Sequence, residues 1–159
     1  MEVVYERCAG LDVGKDEVVA CVRVPDGAGG RRQEVHTYPT FSSSLESLAE
    51  WLQAHDITQV VLEATGQYWK PIWYVLEERG FQLLLVNARQ VKILPGRKTD
   101  VADAAWLAEL LEHGLLRGSF VPPAAIRELR DLTRYRKRLI QAHTAEVQRI
   151  QKTLEDAGI

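Results

Sequence analysis

The hexapeptide Pro25-Asp-Gly-Ala-Gly-Gly30 leaves the chain little choice but to turn. Proline presets one dihedral, aspartate bonds its own backbone and the glycines accept positive φ. Before it lie two runs dense in β-branched and apolar residues, Val4 to Asp12 and Glu17 to Val24, and after it Arg31 to Tyr38 alternates up to Pro39. This order predicts a three-stranded antiparallel meander. A chain that opens this way needs helices or more strands to cover the sheet, and both follow.

Ser42, Ser43 or Ser44 is expected to cap a helix that carries Leu45, Leu48, Ala49 and Leu52 at helical spacing. Gln59 to Ala64 is a six-residue apolar run ending beside Thr65-Gly66, too short for a helix, and reads as a buried strand with Glu63 at its end. Pro71 suits the first turn of a second helix that stops at Gly80, and Phe81 to Val86 is a further buried strand. A short helix is expected from Ala88 to Leu94, broken by Pro95-Gly96. Thr99 or Asp100 then starts a helix bearing Ala104, Leu107, Ala108, Leu110 and Leu111 to a stop at Gly114. Strands four and five, joined through a helix, form a parallel βαβ unit, so the fold class is α/β: a mixed five-stranded sheet flanked by helices. After Pro122-Pro123, Ile126, Leu129, Ile140, Val147, Ile150 and Leu154 fit a heptad seam, with Thr133, Arg136 and His143 at its intervening positions. That spacing predicts a long helix of coiled-coil character, and with it a homo-oligomer. The expected division is residues 1–118 and 119–159.

With 159 residues, 46% hydrophobic, 26% charged and a formal charge of −2, fibrous, collagenous and disordered chains are excluded. No apolar run approaches the roughly 20 residues that span a bilayer, and no basic segment precedes a long apolar stretch near Met1, so neither membrane insertion nor secretion is expected. Two cysteines, Cys8 and Cys21, are too few for a disulfide framework, which favours a reducing, cytoplasmic setting.

Four carboxylates stand out by position. Asp12 ends the first strand within Gly10-Leu-Asp-Val-Gly14, where an ionised group between apolar neighbours needs something to coordinate. Glu63 ends the fourth strand, and Asp100 and Asp103 project from one face of a helix start. Singly, each has an ordinary reading: a helix N-cap for Asp100, the helix dipole for Asp103, a pair with a buried arginine for Glu63, a turn or a phosphate-binding loop for Asp12. Together they suit hard divalent cations, Mg²⁺ with Mn²⁺ as substitute, in two-metal chemistry at phosphate, with Asp12 as the bridging ligand. Lys15, Arg97 and Lys98 lie near these acids in sequence, where a phosphate would welcome a cation. Tyr68, with Trp69, suits either stacking on a base or packing in the core. Arg134, Lys137 and Arg138, within the basic stretch from Arg127 to Arg138, suit either an RNA backbone or a solvated helix face.

Three blocks, Gly10-Leu-Asp-Val-Gly-Lys-Asp-Glu17, Leu62-Glu-Ala-Thr-Gly-Gln-Tyr-Trp69 and Lys98-Thr-Asp-Val-Ala-Asp-Ala-Ala105, resemble in order and spacing those of the DEDD insertion-sequence transposases of the IS110 family. The resemblance implies a RuvC-type, RNase H-like catalytic domain followed by a coiled-coil segment, with Asp12, Glu63, Asp100 and Asp103 as the catalytic, metal-binding tetrad. It implies DNA strand cleavage and exchange in transposition, guided by a bridge RNA. Family members continue into a second domain with a serine nucleophile, and Ser42, Ser43, Ser44 and Ser119 stand in the wrong context for it. Residues 1–159 thus resemble the family's amino-terminal half, from which complete strand exchange is not expected. Other readings are a Holliday-junction resolvase-like nuclease, a non-catalytic RNA-binding dimerisation module, and a sugar-kinase or actin-like ATPase. The last would need a second glycine-rich phosphate loop, which the sequence lacks.

Overall fold

The computed structural model describes residues 2–64, 66–87, 91 and 103–159. Five strands, β1 (Cys8–Val13), β2 (Glu17–Pro25), β3 (Arg31–Pro39), β4 (Gln59–Ala64) and β5 (Gln82–Val86), form one sheet in the order β3-β2-β1-β4-β5. The first three run antiparallel, and β1, β4 and β5 are mutually parallel. This is the mixed RNase H-like sheet that the sequence led us to expect. The turn from β2 to β3 forms as its composition dictates: the Asp26 carboxylate accepts from the Ala28 and Gly30 amides, both at 2.8 Å, and Gly27 and Gly29 take φ of 80° and 89°.

Helices α1 (Ser42–Ala54) and α2 (Trp69–Glu78) pack against each other and cover one face of the sheet. Leu45, Leu48, Ala49 and Leu52 are the buried stripe of α1, and Ile72, Trp73 and Leu76 that of α2. Helix α3, described from Asp103 to Glu112, covers the other face over β1 and β2. Its inward residues include Ala104, Leu107, Ala108, Leu110 and Leu111, and Gly114 then takes a φ of 66°. Of the short helix expected at Ala88–Leu94, only Val91 is among the described residues, and it is buried; the expected helix start at Thr99 or Asp100 lies outside them.

Three boundaries depart from expectation, each because a backbone group found another partner. Strand β1 begins at Cys8 rather than Val4, because the Val4 and Tyr5 amides donate to the Glu112 carbonyl at 2.8 and 3.1 Å instead of joining the ladder. The serines do not cap α1. Phe41 holds the N-cap, its carbonyl accepting from Ser44 and Leu45, and so Ser42, Ser43 and Ser44 already lie in the first turn. Phe81 closes the end of α2 by donating to the Leu76 carbonyl, which leaves β5 to start at Gln82.

The chain forms two compact units, Met1–Phe120 and Val121–Ile159. The second is built on helix α4 (Ala124–Asp156), 33 residues long with none of them buried. None of the described helices is long and apolar enough to cross a membrane.

One buried charge fastens α3 to the sheet. Glu112, 1% exposed, accepts from Arg23 Nε and Nη2 at 3.0 and 2.8 Å and from Arg31 Nε. Burial pushes its carboxyl up, but the Arg23 hydrogen bonds and the charges of both guanidiniums outweigh this and hold the group below its ordinary value. A depressed folded-state value means the contribution to stability is present above the unfolded glutamate value of about 4.3 and is lost as the pH falls through the folded one. Glu112→Gln should lower the unfolding free energy at neutral pH by about 3 kcal/mol, since it leaves two arginines without their buried partner. Urea titrations should also show that the variant has lost part of the wild-type's acid sensitivity below about pH 4. Equal stability, or parallel pH profiles, would contradict this role.

Candidate functional site

The site begins with a close approach. A Cβ added to Gly10 would lie 2.3 Å from the Ala104 carbonyl oxygen, 2.5 Å from the Ala108 nitrogen and 2.9 Å from Leu107 Cβ, so α3 lies directly on the backbone of β1. On the same face, the Cys8 thiol donates to the Ala108 carbonyl at 3.5 Å. Ala104, Ala105 and Ala108 pack on Cys21 and Val19, and Leu107 packs in a cluster with Cys8 and Val61. Small residues on both sides are what allow this contact. Burial pushes the Cys8 thiol up to about 12 and the Cys21 thiol up to about 11, so both are inert packing groups.

Alternation then places the acids. Asp12 follows Gly10 by two residues and therefore projects from the face that α3 covers. Glu63 follows Val61 by two and projects from that face too. The two are register partners in the parallel pair β1–β4, on neighbouring strands about 4.8 Å apart. Helix α3 ends beside Val4 and Tyr5, which precede β1, so it runs antiparallel to β1 and starts over the strand's C-terminal end. Asp103, one turn before Leu107, is displaced along the helix in the same direction as Glu63 is displaced from Val61 along its strand. Asp12, Glu63 and Asp103 thus occupy the same end of the same face, and all three are half-buried and engaged with other groups. Among the described residues no three histidine, cysteine, aspartate or glutamate side chains are gathered closely enough to hold an ion. Asp100 lies outside the described residues.

Of the residues expected to meet nucleic acid, Lys15 is exposed in the turn after β1, its carbonyl accepting from the Thr40 hydroxyl at 2.8 Å. The aromatic pair divides its roles: Tyr68, at the N-cap of α2, is 43% exposed, whereas Trp69 is half-buried and meets Trp73 edge-on at 5.6 Å. Arg97 and Lys98 lie outside the described residues. Arg134, Lys137 and Arg138 are exposed on α4, in the second unit. Sequence reasoning missed two structural features of the α3 seat. Gly10 was visible only as part of a glycine-flanked block, and Glu112 only as a charge at an inward position of an apolar helix end.

A five-stranded sheet in the order β3-β2-β1-β4-β5, antiparallel in its first three strands and parallel in the rest, with helices on both faces, is an RNase H-like fold. The profile of the DEDD transposases of the IS110 family, described as "Transposase", matches residues 9–159. The chain belongs to this family of DNA-recombining transposases. Among solved structures it is similar to Thermus thermophilus RuvC in complex with a Holliday junction substrate, with 15% identity, a TM-score of 0.49, and coverage of 71% of this chain and 99% of that one. It is also similar to the fowlpox virus resolvase in complex with substrate Holliday junction DNA, with 11% identity, a TM-score of 0.47, and coverage of 68% and 99%. No curated protein matches the chain.

The seat of α3 is testable on its own. Gly10→Ala should lower the unfolding free energy by about 1–3 kcal/mol through overpacking, because the atoms it meets are backbone and cannot swing aside. An unchanged urea midpoint would mean that α3 does not lie where described.

Proposed function

We propose that this chain supplies the acidic half of a DNA strand-cleavage and strand-exchange reaction, with residues 1–118 as the catalytic domain and 119–159 as a helical segment for assembly. Asp12, Glu63, Asp100 and Asp103 are the residues we assign to divalent metal binding, Mg²⁺ in the cell with Mn²⁺ able to substitute. The observation that carries this reading is the direct register of Asp12 with Glu63 beneath the start of α3. The donor set fits: four carboxylates offer only hard oxygen ligands, which suit these cations and would suit softer metals poorly. Bound there, the ions would neutralise a scissile phosphate.

The chain's own contribution is positional. Asp12 sits on the central strand, between Val19 on β2 and Glu63 on β4, which makes it the group best placed to bridge. The N-terminal end of α3 directs its positive dipole end at the same region and moderates repulsion among the acids. Lys15, Arg97 and Lys98 are assigned to phosphate contacts beside the acids, Tyr68 to stacking on a base or sugar, and Arg134, Lys137 and Arg138 to the backbone of nucleic acid. The reading extends to a bridge RNA as guide and to a homo-oligomer through α4.

Thermal unfolding tests the metal assignment. Mg²⁺ or Mn²⁺ should raise the Tm of the wild-type chain and leave that of Asp12→Asn unmoved, because only an ion that binds the native state stabilises it. Equal shifts in both would refute the assignment. For the nucleic-acid contacts, replacing Arg134, Lys137 and Arg138 together by alanine should weaken RNA binding and reduce the slope of log K against log salt by about 2–3. An unaltered slope would return these residues to a solvated face.

A further inference from the structure

Strands β3 and β4 both run parallel to β1, so the helices that follow them, α1 and α2, start at the sheet end that carries Asp12 and Glu63. The two helices pack side by side and point the same way. Arg79, the C-cap of α2, donates to Gln53 in the last turn of α1 at 2.8 Å and pairs with Glu46. Packed helices stand about 8–10 Å apart, so the two helix starts lie at about that separation on the rim of the sheet. Both N-caps are aromatic: Phe41 opens α1 and Tyr68 opens α2. Both face solvent, at 74% and 43% exposure.

On stability grounds alone, Phe41 is the wrong residue for its place. Its φ of −80° and ψ of 148° are those of a capping residue, whose side-chain oxygen would accept an amide of the first turn. Phenylalanine makes no such bond. Its exposure does not come from a loose backbone. The Phe41 carbonyl accepts from the Ser44 and Leu45 amides at 2.9 and 3.0 Å, the Thr40 amide donates to the Asp16 carbonyl at 3.1 Å, and the Thr40 hydroxyl donates to the Lys15 carbonyl at 2.8 Å. A fixed frame thus holds a large apolar ring in water at a position where serine would stabilise the helix. A break with a local rule that brings no structural gain marks a functional position.

The chemistry of the rim says which ligand fits. The turn beside Phe41 exposes one cation, Lys15, together with two acids, Asp16 and Glu17, so this patch is not built for an anion. Two flat rings suit a flat partner, and base stacking on aromatic side chains needs no charge and tolerates every base. Phe41 follows β3, which lies two strand spacings, about 10 Å, to the side of β1. That is within reach of a base a few nucleotides from a phosphate held at Asp12.

We infer that Phe41 stacks on an unpaired base of the DNA strand whose phosphate lies at the acids, with Tyr68 as its neighbour on the same rim. The inference rests on the reading of the acids as the DNA-cleaving site and adds a base contact outside it.

Thermal unfolding and DNA binding by the full chain test it together, because the two should move in opposite directions. Phe41→Ser restores a cap and should raise the Tm of the free chain by about 2–5 °C. The same variant should bind a mixed-sequence single strand of about 12 nucleotides, with Ca²⁺ in place of Mg²⁺, about 5- to 100-fold more weakly and with an unchanged salt slope. Phe41→Trp keeps a stacking face and should bind within about twofold of the wild type. To an abasic strand of the same length, wild type and Phe41→Ser should bind alike. Equal affinities for the base-bearing strand, a Phe41→Trp variant as weak as Phe41→Ser, or the same loss on the abasic strand would overturn the inference. So would a Tm that falls together with the affinity, which would make Phe41 a structural residue. If Mn²⁺ still raises the wild-type Tm in any of these cases, the metal assignment stands without the base contact. A wild-type chain that neither binds the strand nor gains Tm from Mn²⁺ overturns both.

Discussion

Everything in the first unit that bears on function depends on how closely α3 rests on β1. Gly10 contributes no side chain, and the Ala104 carbonyl and Ala108 amide occupy the space where one would be. A helix packed on a sheet normally stands off by the thickness of two side-chain layers. Here glycine and alanines remove part of that layer, and Val19 and Cys21 fill the flank. The helix start, with Asp103, is thereby held over the strand end that carries Asp12. The far end is fixed independently by Glu112, whose carboxylate ties α3 to Arg23 and Arg31 and whose carbonyl takes the Val4 and Tyr5 amides. A helix pinned at both ends cannot easily slide along its strand, and such rigidity is what the proposed metal site would require.

Much of this was legible in the sequence because local pattern carried it. The Pro25–Gly30 turn, the six-residue run of β4 and the Leu45-Leu48-Ala49-Leu52 stripe each encode structure within a few residues, and each formed where expected. The misplaced boundaries share a cause: the deciding hydrogen bond came from elsewhere. Val4 turns aside to the Glu112 carbonyl, more than a hundred residues away in sequence, and no local propensity reports that. Glu112 itself finds arginines 89 and 81 residues earlier. At α1 the reason is subtler. Three serines announce a helix start, yet the carbonyl of Phe41 closes the first turn one residue before them.

The candidate site was legible in part, for the same reason. Asp12 and Glu63 could be placed at strand ends because their strands were readable, and their mutual register follows once β1 and β4 are parallel. Asp103 could be put at a helix start. That these three share one face is a consequence of the α3 seat, which the sequence shows only as small residues in unremarked positions. Helix α4 is a contrasting case. Its heptad spacing was legible and the long helix formed, but the polar members Thr133, Arg136 and His143 left register and strand number unreadable, and the basic residues share the helix with that seam.

The central claim is that Asp12, Glu63, Asp100 and Asp103 bind divalent cations. A crystal structure of the chain soaked in Mn²⁺ tests it most directly. Anomalous density among Asp12, Glu63, Asp100 and Asp103, absent from the same crystals of Asp12→Asn, is the result this account requires. Density confined to surface carboxylates elsewhere, or equal in both proteins, would contradict it.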